Sequence, residues 1–349
     1  VSRTTVLAVT GRVAFAPVDQ DGVLRPFVAG TPRAGSAHAR KENPVMFSLT
    51  ARGVLAASAA VLVGVLPLTI TPALAGPAVP ALEAPGKSDR TLGLPHAPNA
   101  RDIGGYPIRG GNKVRFGVVY RADALAKLDS GEQQKLVDLS ITRVIDFRSP
   151  TEVSQGPDRL PAGVQRTEYP VYDAQNDLYV MMNQLIAGGP EAQRAALGDG
   201  KGAEYMRNYY RWLVTDPTSR TRFAAALRDI ATEPGAVLYH CTAGKDRTGW
   251  MTAILMSVLG VPDGQIYQDY LHSNDNLAAG NKALMDALVQ QGLVEDPTLW
   301  EPVLGVQRDF LDAAFDQVRQ SFGSMDDFVR TGLGADEATL AALRTKLAG

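Results

Sequence analysis

The chain has 349 residues, 45% of them hydrophobic and 21% charged, which suits one large folded domain or two small ones and allows a sizeable core. A formal net charge of -2 leaves no global positive field, so nucleic acid is not an expected partner and any phosphate must be gripped locally. The single cysteine, Cys241, permits neither an intrachain disulfide nor a thiolate cluster, and His38, His96, His240 and His272 show no metal-ligand spacing, so neither metal nor organic cofactor is expected.

In chain order, Met46 is the first methionine and opens the layout of an export signal: Arg52, an apolar run over 53–70, and the small-x-small site Ala73-Leu74-Ala75 before Gly76. Residues 1–45 are then expected to precede the true start or to be disordered, and 46–75 to be a signal peptide. Pro67 interrupts a stretch barely long enough to span a bilayer, which favours cleavage over a permanent membrane anchor. The product would be exported or secreted; without use of the signal it would be cytoplasmic. Residues 76–92, rich in Pro, Ala and Gly, read as a linker ahead of a domain over 93–349.

Within that domain, β-rich runs at 114–120, 142–147, 165–171 and 236–240 alternate with helical stretches at 130–139, 247–259 and 263–274, followed by a largely helical C-terminal third. This order predicts an α/β fold with a partly parallel central sheet flanked by helices. An insertion at 174–215 carries two helical runs, 176–187 and 204–215, separated by Gly188-Gly189-Pro190.

The segment His240-Cys241-Thr242-Ala243-Gly244-Lys245-Asp246-Arg247-Thr248-Gly249 lies between the apolar strand at 236–240 and a helix closed by Gly260 and Pro262. A loop leaving a strand's C-terminal end for a helix's N-terminus offers free backbone N–H groups to an anion. Five residues separate Cys241 from Arg247, so a loop curled round a phosphate places the thiol below it and the guanidinium alongside. The amides of Thr242, Ala243, Gly244, Lys245, Asp246 and Arg247 then form a nest, and the planar arginine fork grips the trigonal transition state more tightly than the ground state. Such surroundings favour the thiolate, making Cys241 a candidate nucleophile that forms a phosphocysteine. Thr248 either donates its hydroxyl to the departing sulfur or simply starts the helix. His240 either tunes the cysteine through a backbone-anchored ring or is a satisfied buried histidine. A nucleotide P-loop is rejected, because Tyr239 and Asp246 stand where it needs Gly and Ser or Thr. A thiol-based arsenate reductase would need a resolving cysteine, which is absent.

Together with Asn99-Ala-Arg-Asp-Ile-Gly-Gly-Tyr106, Tyr120-Arg-Ala-Asp123, Asp146-Phe-Arg-Ser-Pro-Thr-Glu152, Tyr270-Leu-His-Ser-Asn-Asp275 and Val303-Leu-Gly-Val-Gln-Arg-Asp309, the Cys-x5-Arg loop resembles the protein tyrosine phosphatase superfamily. The resemblance is to its bacterial secreted branch of tyrosine and dual-specificity, phosphoinositide-accepting enzymes, typified by a mycobacterial member, and runs from about residue 93 to the C-terminus. It implies the cysteine-phosphatase fold, phosphotyrosine proteins or phosphoinositides as substrates, and Arg101, Asp102 and Arg148 as supporting residues. The leaving group needs an acid, and two aspartates compete: Asp246 inside the loop, as in the resembling family, and Asp173 on a separate loop after a strand. Asp102 ranks third, since Arg101-Asp102 better suits a turn and an ion pair. The Gly-Lys-Asp-Arg run is similar to loops that accept phosphoinositides, with Lys245 as a second cation unless its ammonium points to water. The insertion would be a mobile helical lid, although core packing fits the same apolar spacing. Expected, then, is a protein-tyrosine phosphatase. The alternatives are a lipid-specific phosphoinositide phosphatase or a non-catalytic phosphate-binding module.

Overall fold

A computed structural model describes residues 90–349; the expected segments 1–45 and 46–75, and the linker as far as residue 89, lie outside the described residues. The strands are β1 (Arg101–Asp102), β2 (Val119–Ala122), β3 (Ile141–Asp146), β4 (Gln165–Glu168) and β5 (Ala236–His240), in the order β1-β2-β5-β3-β4. β1 is antiparallel to β2, and all other pairs are parallel. The expected α/β class with a partly parallel sheet is therefore correct. Every residue of β5 is buried, as an apolar strand paired on both sides and covered on both faces must be.

Helices α1 (Ser130–Asp138), α2 (Pro150–Gln155), α3 (Leu178–Leu197), α4 (Lys201–Thr215), α5 (Pro217–Thr232), α6 (Arg247–Leu259), α7 (Asp263–Gln290), α8 (Glu301–Leu304), α9 (Arg308–Phe322), α10 (Met325–Asp327) and α11 (Glu337–Leu347) flank the sheet. One sheet face packs with Leu92, Leu94, Leu125, Leu128 and Leu136 of α1. The other meets α6, which is buried all round from Thr248 to Met256 because the C-terminal helices close over its far side. Trp250 of α6 meets Phe315 of α9 edge-on at 5.7 Å and Phe328 tilted at 5.9 Å, and Tyr210 of α4 lies 6.1 Å from Phe310 of α9. Among the described residues no helix is long and apolar enough to cross a membrane.

Several elements differ from expectation, each for a local reason. The run at 114–120 is not one strand: Lys113 and Arg115 bond to the chain end at Gly349 and Leu347, Gly117 turns at φ +76°, and pairing with β5 begins only at Val119. β4 stops at Glu168, ahead of Pro170, which has no N–H for the ladder. α7 runs on past 274, because Leu277, Met285 and Leu288 continue its buried stripe. The Gly188-Gly189-Pro190 run kinks α3 at Gly189 without ending it, and Pro190 starts the second half, where a missing N–H is tolerated. β1 is too short to carry a period-2 signal.

Trp250 gives a direct test of the packing around α6. It is fully buried, and its indole Nε1 has no hydrogen-bond partner among the described residues. Trp250→Ala should cost about 3–5 kcal/mol in urea unfolding, while Trp250→Phe, which removes volume but no hydrogen bond, should cost clearly less.

Candidate active site

β5 delivers Cys241 to the C-terminal edge of the sheet, beside β2 and β3, where the sulfur-bearing residue is 2% exposed. The loop that follows is held from behind by its carbonyls. Cys241 O accepts from His240 Nδ1 at 3.1 Å, Thr242 O from the Ala124 amide at 3.0 Å, Ala243 O from Asn99 Nδ2 at 2.9 Å, and Gly244 O from Arg121 Nη2 at 2.7 Å. In a trans peptide the next residue's N–H points opposite to the carbonyl, so four outward carbonyls turn the amides of Thr242, Ala243, Gly244 and Lys245 to the other side. Among the described residues the amides of 242–246 meet no protein acceptor. This is an anion nest with its donors free. Gly244 makes the curl possible: its φ is +65°, and a Cβ there would lie 2.2 Å from Ala122 O.

The pins are themselves anchored. Asp269 of α7 is buried between Arg101, 3.0 Å from its Oδ1, and Arg121, which bonds its Oδ2. Burial opposes the Asp269 charge, but the two guanidiniums hold its carboxyl well below the usual range. Arg101 also fixes Asn99 through Oδ1 at 2.6 Å. Arg101 thus braces the loop through two other residues. Asp102 instead accepts from the Gly104 and Gly117 amides and shapes a turn beneath the sheet edge.

His240 is satisfied at both nitrogens, by the Cys241 carbonyl and by Asp158 Oδ2 at 3.1 Å. Two acceptors demand two N–H groups, which is the imidazolium. Burial disfavours that charge, but Asp146 and Asp158 outweigh it and raise the pKa above the ordinary value. Arg148 binds Asp146 and Asp158 at 2.8 Å each, and Arg166 binds them at 2.6 and 3.2 Å. His240, Asp146 and Asp158 have metal-like proximity, but the arginines already occupy both carboxylates, so the cluster is an ion-pair network.

Arg247 is partly exposed, at 11% of its side chain, and gripped in a fork: Nη1 and Nη2 lie 2.7 and 2.6 Å from the two oxygens of Glu152. Glu152 also accepts from the Thr242 hydroxyl at 2.5 Å and closes a capping box with Ser149 at the start of α2. Burial pushes its carboxyl up, and Arg247 overrides this to bring it down to about 2. Thr248 Oγ1, in the first turn of α6, is buried with no partner among the described residues.

The two competing aspartates lie in unlike settings. Asp246 is buried, its Oδ1 accepting from Tyr210 of α4 at 2.9 Å and its Oδ2 from Lys245 at 2.7 Å. Lys245 therefore folds onto its neighbour and does not point to water. Asp173 uses its carboxylate on its own turn, accepting from the Gln175 amide at 2.8 Å and Asn176 Nδ2 at 2.9 Å. The structure brings Cys241, the nest, Asp246, Arg247 and Thr248 together on one loop and leaves Asp173 without a hydrogen bond to it.

Glu152, Asn99, Arg121, Asp158, Asp269 and Tyr210 contact the loop or the side chains that hold it, contacts that sequence reasoning did not assign. The first three stood inside motif blocks; what they bind is set by contacts 90 or more residues away in sequence, such as Glu152 to Arg247 and Asn99 to Ala243. Asp158 and Tyr210 gave no signal.

An all-trans anion nest at the sheet's carboxyl edge, with a thiol at its base and a clamped arginine at its rim, defines a phosphate-ester hydrolase of the cysteine-loop kind. The chain belongs to the tyrosine phosphatase family, whose sequence pattern matches residues 92–349. It is 33% identical over 245 residues to a Cupriavidus necator chain named "Putative tyrosine-protein phosphatase", covering 69% of this chain and 84% of that one. It is 29% identical over 281 residues to the triple specificity protein phosphatase PtpB of Mycobacterium tuberculosis, covering 73% and 98%. A tyrosine-protein phosphatase of Nostoc commune is 30% identical over 151 residues, 43% of this chain and 46% of that one. The protein is a phosphoric monoester hydrolase of the protein-tyrosine and dual-specificity phosphatase class.

The Glu152–Arg247 pair predicts a pH signature. Because the folded-state pKa is depressed, the pair's stabilisation is complete above the unfolded value of 4.5 and is lost as pH falls towards about 2. Glu152→Gln should cost about 3–5 kcal/mol at pH 7, and the gap from wild type should close between those pH values in urea titrations.

Proposed function

We propose that this chain hydrolyses phosphotyrosine, phosphoserine and phosphothreonine on proteins, and phosphoinositides, through a phosphocysteine on Cys241. The observation that carries the reading is the set of four outward-pinned carbonyls, which presents free amides around the sulfur. In the first step the Cys241 thiolate attacks phosphorus; the S–P bond forms as the P–O bond breaks, and an acid hands its proton to the leaving oxygen. In the second step water attacks phosphorus, its proton passes to the same carboxylate, the S–P bond breaks, and phosphate leaves. Arg247, oriented by Glu152, holds two equatorial oxygens in both transition states. The unpartnered Thr248 hydroxyl suits donation to the departing sulfur.

Asp246 is our choice of acid, since it stands in the nucleophile's own loop, whereas Asp173 makes its hydrogen bonds to Gln175 and Asn176 and none to that loop. Lys245 would extend the reach to polyanionic headgroups, a reading supported by the triple specificity named for the Mycobacterium tuberculosis relative. Within the insertion, α4 packs into the core, whereas α3 buries little beyond Leu185, Gln193 and Leu197 and is kinked at Gly189, so α3 is the part we assign as a movable cover. Export by the segment at 46–75, without a lasting anchor, completes the proposal.

Cys241→Ser should abolish p-nitrophenyl phosphate turnover; identical low rates in variant and wild type would leave only a phosphate-binding module. Asp246→Asn should lower kcat on an alkyl phosphate about 10²-fold or more, with a much smaller loss on p-nitrophenyl phosphate, whose leaving group needs no proton. The same pattern in Asp173→Asn, with Asp246→Asn unaffected, would reverse the assignment.

A further inference from the structure

Lys245 and Asp246 are neighbours in the loop, and both are buried. A carboxylic acid must carry its proton on one oxygen, yet both oxygens of Asp246 already accept hydrogen bonds, Oδ1 from Tyr210 and Oδ2 from the Lys245 ammonium at 2.7 Å. That arrangement suits a carboxylate and leaves no proton for a leaving group. The Tyr210 hydroxyl is in turn fixed, accepting from Tyr270 of α7 at 2.7 Å.

The charged and titratable groups that interact with Asp246 include Lys245 of the loop, Tyr209 and Tyr210 of α4, and Tyr270 of α7; Arg247, Cys241 and Glu152 stand around Tyr209, and Arg121 and Asp309 around Tyr270. Arg247 is locked by two bonds to Glu152, and both Tyr210 and Tyr270 are packed in the core. Lys245 alone combines a full charge with a flexible stem, and among the described residues its Nζ has no partner besides Asp246.

We propose that Lys245 is a substrate-operated latch on Asp246: it holds the carboxylate ionised until a second anionic group, on a carbon next to the scissile phosphate, draws the ammonium away. Asp246 then takes up a proton from bulk solvent, whose buffer supplies it, and donates it to the leaving oxygen as the S–P bond forms and the P–O bond breaks. A vicinal bisphosphate thereby raises kcat as well as affinity, and a lone phosphate with a poor leaving group reacts with the latch closed. This rests on the reading of Asp246 as the acid.

The test compares kcat at saturation for propane-1,2-diol 1-phosphate and its 1,2-bisphosphate, in wild type, Lys245→Met and Asp246→Asn, with p-nitrophenyl phosphate reporting that each loop is folded. Wild type should turn over the bisphosphate at least about tenfold faster, within the range a general acid supplies. Lys245→Met should raise kcat on the monophosphate and bring the ratio close to one. A wild-type ratio of one overturns the latch by itself, even if the lysine variant fails to fold. A Lys245→Met variant that raises KM for the bisphosphate but leaves the monophosphate kcat unaltered makes Lys245 a binding cation only: the latch fails and the acid reading stands. An Asp246→Asn variant with full kcat on both alkyl phosphates removes the acid reading, and the latch with it. Vesicles bearing phosphatidylinositol 3-phosphate or 3,4-bisphosphate form the second arm; a gain seen there and absent from the soluble pair assigns it to the surface and overturns the latch.

Discussion

The orientation of four peptide planes governs this site. A loop of six residues between a strand and a helix has no ladder to satisfy it, so each carbonyl must find a partner or face solvent. Here those of Cys241, Thr242, Ala243 and Gly244 all find one on the scaffold side, from His240, the Ala124 amide, Asn99 and Arg121. The amides are thereby aimed before any substrate arrives, which is the condition for electrostatic stabilisation without reorganisation. Three of the four donors are side chains, and two of those, the His240 ring and Arg121, belong to buried ion clusters. The loop is therefore only as rigid as the charges behind it.

Those charges are arranged in two separate clusters. Arg101, Arg121 and Asp269 join α7 to the β1–β2 edge, while Asp146, Asp158, Arg148, Arg166 and His240 join β3, β4 and β5. Buried pairs recover their desolvation cost only with full hydrogen bonding, so neither cluster is a good source of net stability. Each nevertheless ends on a loop carbonyl, and truncating one member would strand a buried charge. The clusters fix geometry more than they add to stability. Glu152 works likewise on the rim: one carboxylate caps α2, meets Thr242 and orients Arg247, so helix start and phosphate clamp cannot move independently.

What was readable in the sequence follows the range of the interaction. The α/β class, the strand at Ala236–His240, the helix at Arg247–Leu259 and the spacing of Cys241 and Arg247 depend on short-range periodicity and appear where expected. The boundaries that moved did so through partners distant in sequence: the end of the chain at Leu347 and Gly349 takes up Lys113 and Arg115, and α7 lengthens because neighbouring helices bury Leu277 and Leu288. The same limit applied inside the site. Tyr210 reads as one apolar position of an amphipathic helix, and nothing in its local sequence says that its hydroxyl reaches Asp246, 36 positions on.

That contact also changes the meaning of the insertion. A helix whose Met206, Tyr210, Leu213 and Val214 are buried, and which carries a hydroxyl bonded to the loop, is part of the wall of the site. Moving it would release Asp246 and expose core surface at about 25 cal/mol per Å² of apolar area, a far larger cost than swinging the half-buried first part of α3. Any motion that admits substrate is thus expected to divide at the Lys201 end of α4, with the surroundings of Asp246 kept and the first part of α3 alone displaced. Under that division, and with the proposed latch, the state of Asp246 would be decided within the loop, by whichever charge Lys245 faces, and not by opening or closing above it.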